Sequence, residues 1–269
     1  MQTIIYTIIA AFAIAFLLGL LLGVFKKIFA VPVNEKAERI RACLPGANCG
    51  GCGFPGCSGY ADAVAAGEAE PNKCSAGGSS VAAEIGKILG VEVTTVKKAS
   101  VLACQGTKEC AVSRGIYSGV ETCAAAAQAI NGTKMCSFGC IGFGDCASAC
   151  QFGGIKMNEN GIPAVDYALC TGCGACEKAC PRKLISLIPS EQKGAIALCR
   201  NRSENKPSIM KNCKAGCIKC GKCEKSCETK AIHLEKGIPV VDYAKCTSCG
   251  KCAEGCPTHV IKMIQDVIR

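Results

Sequence analysis

Apolar positions along the chain fall into two regimes. From Ile4 to Phe25 the sequence reads IIYTIIAAFAIAFLLGLLLGVF, 22 residues without a charge. At about 1.5 Å per residue a helix of that length reaches about 33 Å, enough to cross a hydrocarbon core. Lys26 and Lys27 follow at once, while Met1 and Gln2 precede. The positive-inside rule therefore predicts a single-pass anchor over 1–27, with its N-terminus outside and the rest of the chain on the cytoplasmic side. A cleaved signal peptide fits less well, because its charges would precede a shorter apolar run. The helix carries no ionisable residue, so it offers no ion path of its own.

Beyond the anchor the apolar runs are short and broken by glycine and proline. Residues Asn34 to Arg41 suit one amphipathic helix capped by Asn34. A helix is expected near Ala61 to Ala69, then a Gly/Ser break from Ser75 to Ser80. Val81 to Leu89 suits a further helix, capped by Ser80. Residues 91–135 give the weakest pattern, apart from an Ala-rich helix over Cys123 to Ile130 that ends at the turn pair Asn131-Gly132. From Met135 onward the chain is duplicated. The segment GIPAVDYALCTGCGACEKACPRKLI (161–185) matches GIPVVDYAKCTSCGKCAEGCPTHVI (237–261) at an offset of 76 residues. In each copy a β-branched stretch, Ile162 to Val165 or Ile238 to Val241, predicts a hairpin strand beside two loops and two small helices. A polar, charged stretch from Pro189 to Lys211 reads as the linker between copies.

Composition narrows the chemistry. There are 26 cysteines in 269 residues, aromatic residues make up 5%, and tryptophan is absent. Small modules with so little aromatic bulk need disulfides or metals to hold them. A cytoplasmic body is kept reduced, which favours metals. The formal charge of +10 counts every cysteine as neutral. A cubane cluster on four thiolates carries about −2, so five bring the whole near neutrality. Basic residues are not interleaved with stacking aromatics, which argues against nucleic-acid binding.

The cysteine spacings identify the metal. Cys170, Cys173, Cys176 and Cys180-Pro181 follow C-x2-C-x2-C-x3-C-P, and so do Cys246, Cys249, Cys252 and Cys256-Pro257. This is the bacterial ferredoxin run, whose fourth cysteine serves the other cluster of a pair. The fourth is expected on a following helix that Pro181 or Pro257 helps to start. Zinc ribbons use pairs of C-x2-C knuckles, and a doubled triple knuckle is a poor zinc pattern. The partner runs are Cys217, Cys220, Cys223, Cys227 and, less regularly, Cys140, Cys146, Cys150. Phe143 stands where the first copy needs a ligand, and Cys136 is the expected substitute. Cys213 matches Cys136 in the second copy, so either Cys213 or Cys220 is surplus there, and spacing prefers Cys220 as ligand. The expected sets are therefore Cys136, Cys140, Cys146, Cys180; Cys150, Cys170, Cys173, Cys176; Cys217, Cys220, Cys223, Cys256; and Cys227, Cys246, Cys249, Cys252.

A fifth set, Cys49, Cys52, Cys57 and Cys74, lies around the Gly-rich loop NCGGCGFPGC. Four soft ligands without a nearby histidine favour [4Fe–4S] over zinc. Cys43 reads as a packed thiol. Cys104, Cys110, Cys123, Cys199 and Cys213 remain, and Cys104, Cys123 and Cys213 are the candidates for extra iron ligands. A sixth cluster drawing on Cys104, Cys110 and Cys123 with Cys136 is one reading; packed thiols are the other. The C-x3-C-x2-C string at 213–220 resembles that of enzymes that cleave S-adenosylmethionine, but fewer than 50 residues follow Cys220. His233 and His259 are isolated, and no nucleophile–base pair or phosphate loop is present. The fold class expected is α+β and multi-domain: anchor (1–27), small [4Fe–4S] domain (28–90), connecting Cys-containing segment (91–134), and ferredoxin-like modules at 135–188 and 212–269 about the linker 189–211.

An apolar anchor, then LPGANCGGCGFPGC with Cys74, then CSFGCIGFGDCASAC and two C-P runs, resembles the B subunits of the Rnf complexes over essentially the whole chain. The first loop also resembles the cluster domain of corrinoid iron–sulfur proteins. The Rnf resemblance implies a component of a redox-driven ion pump, a ferredoxin:NAD⁺ oxidoreductase. It would relay electrons between soluble ferredoxin and membrane or flavin subunits, with no substrate-converting site of its own. An anchored polyferredoxin serving another reductase is the alternative. A basic series, Lys193, Arg200, Arg202, Lys206, Lys211, Lys214, Lys219, Lys222, Lys225 and Lys230, reads either as a solvated face or as a steering surface for an acidic ferredoxin.

Overall fold

The computed structural model describes residues 2–29, 34–93 and 95–268. Met1, at the start of the expected anchor, and 30–33, near the start of the expected cluster domain, lie outside them. Helix α1 (Gln2–Ile28) carries the apolar run. Its span Ile4–Ile28 has a mean hydropathy of 2.9 and contributes no buried residue to the protein, so it is one helix long and apolar enough to cross a membrane.

The next unit packs three helices, α2 (Glu35–Cys43), α3 (Cys57–Ala65) and α4 (Gly78–Leu89), about Ile40, Tyr60, Val64 and Ile85. Asn34 caps α2, its side-chain oxygen accepting from Lys36 N at 3.1 Å and Ala37 N at 3.4 Å. Helix α3 begins four residues earlier than expected. The reason lies at a distance: Asn48 Oδ1 accepts from the Cys57 N–H at 2.8 Å and ties the cysteine loop to the first turn. Ser80 is not a cap. Helix α4 starts at Gly78, and the Ser80 hydroxyl donates back to the Gly77 carbonyl.

The first copy contains β1 (Lys98–Leu102), α5 (Cys123–Ile130), α6 (Asp145–Ser148), β2 (Ile155–Met157), β3 (Pro163–Val165), α7 (Ala175–Ala179) and β4 (Ile185–Pro189). The second contains β5 (Ala195–Ala197), α8 (Lys206–Asn212), α9 (Lys222–Lys225), β6 (Ile232–Glu235), β7 (Ile238–Val241), α10 (Lys251–Glu254), β8 (Ile261–Met263) and α11 (Ile264–Val267). Strands β2 and β3 form a hairpin, as do β6 and β7. Helix α5 matches the expected span, capped by Thr122 and closed by Asn131 in the left-handed conformation.

Two expectations are corrected. The segments read as connector and linker are built into the copies. Strand β1 pairs antiparallel with β4 from Lys98↔Pro189 to Leu102↔Ile185. In the same way β5 pairs with β8, from Ala195↔Met263 to Ala197↔Ile261. Each copy thus closes on a strand that precedes it in the chain. The fourth cysteine of each C-P run also does not lie on a following helix. Cys180 is the C-terminal cap of α7, and Cys256 comes just after α10. Pro181 and Pro257 open turns that lead into β4 and β8, because proline, lacking an N–H, suits a turn as well as a helix start.

The cores are small and partly made of sulfur. In the first copy Cys146, Ile155, Cys176 and Ile185 are buried together, with Cys150 and Cys180 against them. In the second, Ala195, Cys223, Ile232 and Ile261 play this part.

Candidate iron–sulfur centres

All 26 cysteines are free thiols. Sixteen of them line four small concavities of similar size. Cys49, Cys52, Cys57 and Cys74 line a concavity of about 330 Å³. Tyr60, buried beneath it, donates its hydroxyl to the Glu70 carbonyl at 2.8 Å and accepts from Lys73 N at 3.2 Å, fixing the turn that delivers Cys74. Burial pushes the Tyr60 phenol up to about 12, so it stays a donor at neutral pH.

Cys217, Cys220, Cys223 and Cys256 line a second void, of about 340 Å³. Cys252 sits beside Cys227, Cys246 and Cys249: burial pushes its thiol up, a backbone N–H partly offsets this, and the three neighbouring sulfur charges add to the rise. In the first copy Cys176 is likewise raised by burial, then lowered by Ser100 and raised by Cys173 and Cys170. Cys150 packs in the same core as Cys176.

The set expected from Cys136, Cys140, Cys146 and Cys180 does not assemble. The void beside Cys140, Cys146 and Cys180, about 360 Å³, is completed by Cys123. Cys123 stands first in α5, and Asp145, first residue of α6, holds it there: its carboxylate accepts from Cys123 N at 2.7 Å and from Ala124 N at 3.1 Å. Phe143, in the place of the missing ligand, packs on Tyr117 and on the core containing Cys123. Cys136 faces a different void, of about 390 Å³, with Cys104, Cys199 and Cys213. Cys43 and Cys110 line none of these voids.

These voids test what they can hold. Among the described residues no three Cys, His, Asp or Glu side chains are close enough to share a single metal ion. The thiols surround a space instead of converging on a point, which fits a cubane and not zinc. Several sulfurs already accept backbone N–H bonds, among them Cys180 from Leu184 N at 3.4 Å and Cys227 from Ala231 N at 3.2 Å. Such donors stabilise bound thiolate.

A family model described as a putative Fe–S cluster matches residues 44–76. One described as a 4Fe–4S dicluster domain matches twice, over 138–184 and 216–260. The B subunit of the Na⁺-translocating ferredoxin:NAD⁺ oxidoreductase complex of Acetobacterium woodii is 42% identical over 220 residues, 81% of this chain and 66% of that protein. The B subunit of the ion-translocating oxidoreductase complex of Methanosarcina acetivorans is 39% identical over 220 residues, 81% of this chain and 83% of its own. This chain is a B subunit of the Rnf family of ion-translocating oxidoreductase complexes. The B subunit of the proton-translocating complex of Clostridium ljungdahlii agrees, at 37% identity over 90% of this chain and 85% of that one.

As an Rnf B subunit it is an iron–sulfur electron-transfer component of a multi-subunit oxidoreductase. Sequence reasoning missed two residues that the fold brings against the cysteine groups. Ser100 is buried in β1 with its hydroxyl 3.6 Å from Cys170 Sγ. Cys199, by spacing alone, reads as a packed thiol. Neither lies within a spacing motif, and only the pairing of β1 with β4 and of β5 with β8 brings them to sulfur. The relatives' names differ in the ion moved, so similarity in this component does not specify the ion.

Proposed function

We propose that this B subunit is a membrane-tethered wire of cubane clusters that carries electrons between soluble ferredoxin and the membrane and flavin subunits leading to NAD. In this reading α1 is a single-pass anchor with its N-terminus outside, and the cysteine-bearing body, with a unit at 28–90 and modules at 135–188 and 212–269, lies on the cytoplasmic side. The proposed ligand sets are Cys49, Cys52, Cys57, Cys74; Cys150, Cys170, Cys173, Cys176; Cys123, Cys140, Cys146, Cys180; Cys217, Cys220, Cys223, Cys256; and Cys227, Cys246, Cys249, Cys252. Bound there, [4Fe–4S] clusters supply one-electron carriers whose potentials respond to hydrogen bonds and exposure.

The observation that carries the reading is the linear succession of the sets. The first loop touches the first module directly: Lys178 Nζ donates to the Gly50 carbonyl at 3.3 Å, and a Cβ on Gly51 would lie 2.7 Å from the Cys173 carbonyl oxygen. Within each module the two sets share one core. At the far end Cys220 and Cys249 are the exposed cysteines, and Lys222 and Lys225, both exposed, lie on α9 between Cys220 and Cys227. An exposed centre edged with positive charge suits docking of an acidic electron carrier.

Neutralising Lys222, Lys225 and Lys230 together, in the purified complex, is expected to slow ferredoxin oxidation and to flatten its dependence on salt. An unchanged rate and salt slope would remove the docking role. Failure of the chain to co-purify with flavin-bearing membrane subunits would remove the complex reading itself.

A further inference from the structure

We infer that Cys104, Cys136, Cys199 and Cys213 hold a sixth [4Fe–4S] cluster, in a site that both copies of the duplication build together and that joins the two modules into one electron path. The inference rests on the reading that the other five sets hold clusters.

The site obeys the symmetry of the duplication. Cys136 and Cys213 each precede the first ligand of their module by four residues, Cys140 and Cys217 respectively. Cys104 and Cys199 each follow by two residues the strand that closes their copy, β1 or β5. Each copy therefore supplies two sulfurs from matching places, and Cys104 and Cys199 face each other across an isolated antiparallel bridge. A two-fold arrangement of this kind puts four thiols round one centre, although they come from four separate stretches of chain.

The concavity matches its neighbours in size. At about 390 Å³ it resembles the 330, 360 and 340 Å³ spaces of three other sets. Three of its four sulfurs already accept N–H bonds. Cys104 Sγ takes Gly106 N and Cys140 N, each at 3.4 Å; Cys136 Sγ takes the Asn201 side-chain amide at 3.5 Å; Cys199 Sγ takes Cys217 N at 3.5 Å. Lys134 is buried in the wall with its ammonium 2.6 Å from the Gly106 carbonyl oxygen. Burying a lone ammonium is costly, and a cube with four thiolates, at about −2, is the counter-charge that offsets it.

Placement gives the site its role. Two of those donors, Cys140 N and Cys217 N, belong to ligands of the adjoining centres, one in each module. The site thus touches the first module through Cys104 and the second through Cys199. Electron tunnelling falls steeply with distance, so a carrier here turns two diclusters into one continuous relay.

The test is iron and acid-labile sulfide, counted per chain on anaerobically purified full-length protein. Wild type is expected to hold about 24 irons, four in each of six cubanes. Cys199→Ala is expected to hold about 20, with one component lost from the Mössbauer or EPR spectrum, while Cys110→Ala keeps the full count. A wild type with about 20 irons, with or without one zinc, would overturn the sixth site and leave the other five. Unchanged iron in Cys199→Ala would do the same. An iron-free wild type would overturn both readings. If Cys199→Ala does not accumulate, the wild-type count decides.

Discussion

Gly172 and Ser248 occupy equivalent places in the two C-x2-C loops, 76 residues apart, and both adopt the left-handed backbone, at φ +68° and +60°. The duplication therefore contains its own control. At Ser248 a side chain is carried. At Gly172 a Cβ would overlap the Lys98 carbonyl oxygen and lie 2.8 Å from the carbonyl carbon and 3.0 Å from Lys98 Cβ. Two of these atoms are backbone at the end of β1, so the loop or the strand must move. The left-handed conformation costs a non-glycine residue about 1–2 kcal/mol, and overpacking adds about 1–3 kcal/mol. Gly172→Ser should thus destabilise the first module by about 2–5 kcal/mol, whereas Ser248→Gly relieves backbone strain alone. If iron leaves through local opening, 2 kcal/mol is about a 30-fold faster release to a chelator. The assay is anaerobic iron release to a coloured chelator, with the two single variants beside wild type. Expected is at least about 30-fold acceleration of one phase in Gly172→Ser and no acceleration in Ser248→Gly. A Gly172→Ser protein releasing iron within about threefold of wild type would refute the claim that β1 is packed on this loop.

Further outcomes follow from the same contacts. Cys123→Ala should lose about four irons while Cys43→Ala loses none, which iron analysis separates; equal retention would return Cys123 to the packed thiols. Ser100→Ala removes a hydroxyl beside Cys170, and hydrogen bonds to sulfur favour the more negative, reduced state. The potential of one centre should therefore fall, by about 40 mV per kcal/mol of lost stabilisation, as read by anaerobic redox titration with EPR; an unshifted titration would mean that the hydroxyl does not serve the sulfur.

Spacing was enough to group the cysteines that one loop delivers. Cys49, Cys52 and Cys57, or Cys246, Cys249 and Cys252, are held near one another by a few turns of backbone, so their grouping is local and can be read directly from the chain. Helix α5 was legible for the same reason, since Thr122 and Asn131 cap it from adjacent positions. The partition of Cys136 and Cys123 was not. Cys136 lies four residues from Cys140, close enough in sequence to pass for its partner, yet Cys123 takes that place because Asp145 pins α5 from 22 residues away. Cys104 was a candidate for extra iron from its sequence, but its grouping with Cys199 was beyond reach, as was the place of Ser100. Their positions depend on strands β1 and β5 pairing with β4 and β8, and a register between distant strands is set by which face of each is buried. The chain alone settled which cysteines gather in each loop; only the pairing of remote strands decided which loops come together, because that depends on long-range packing that no local spacing encodes.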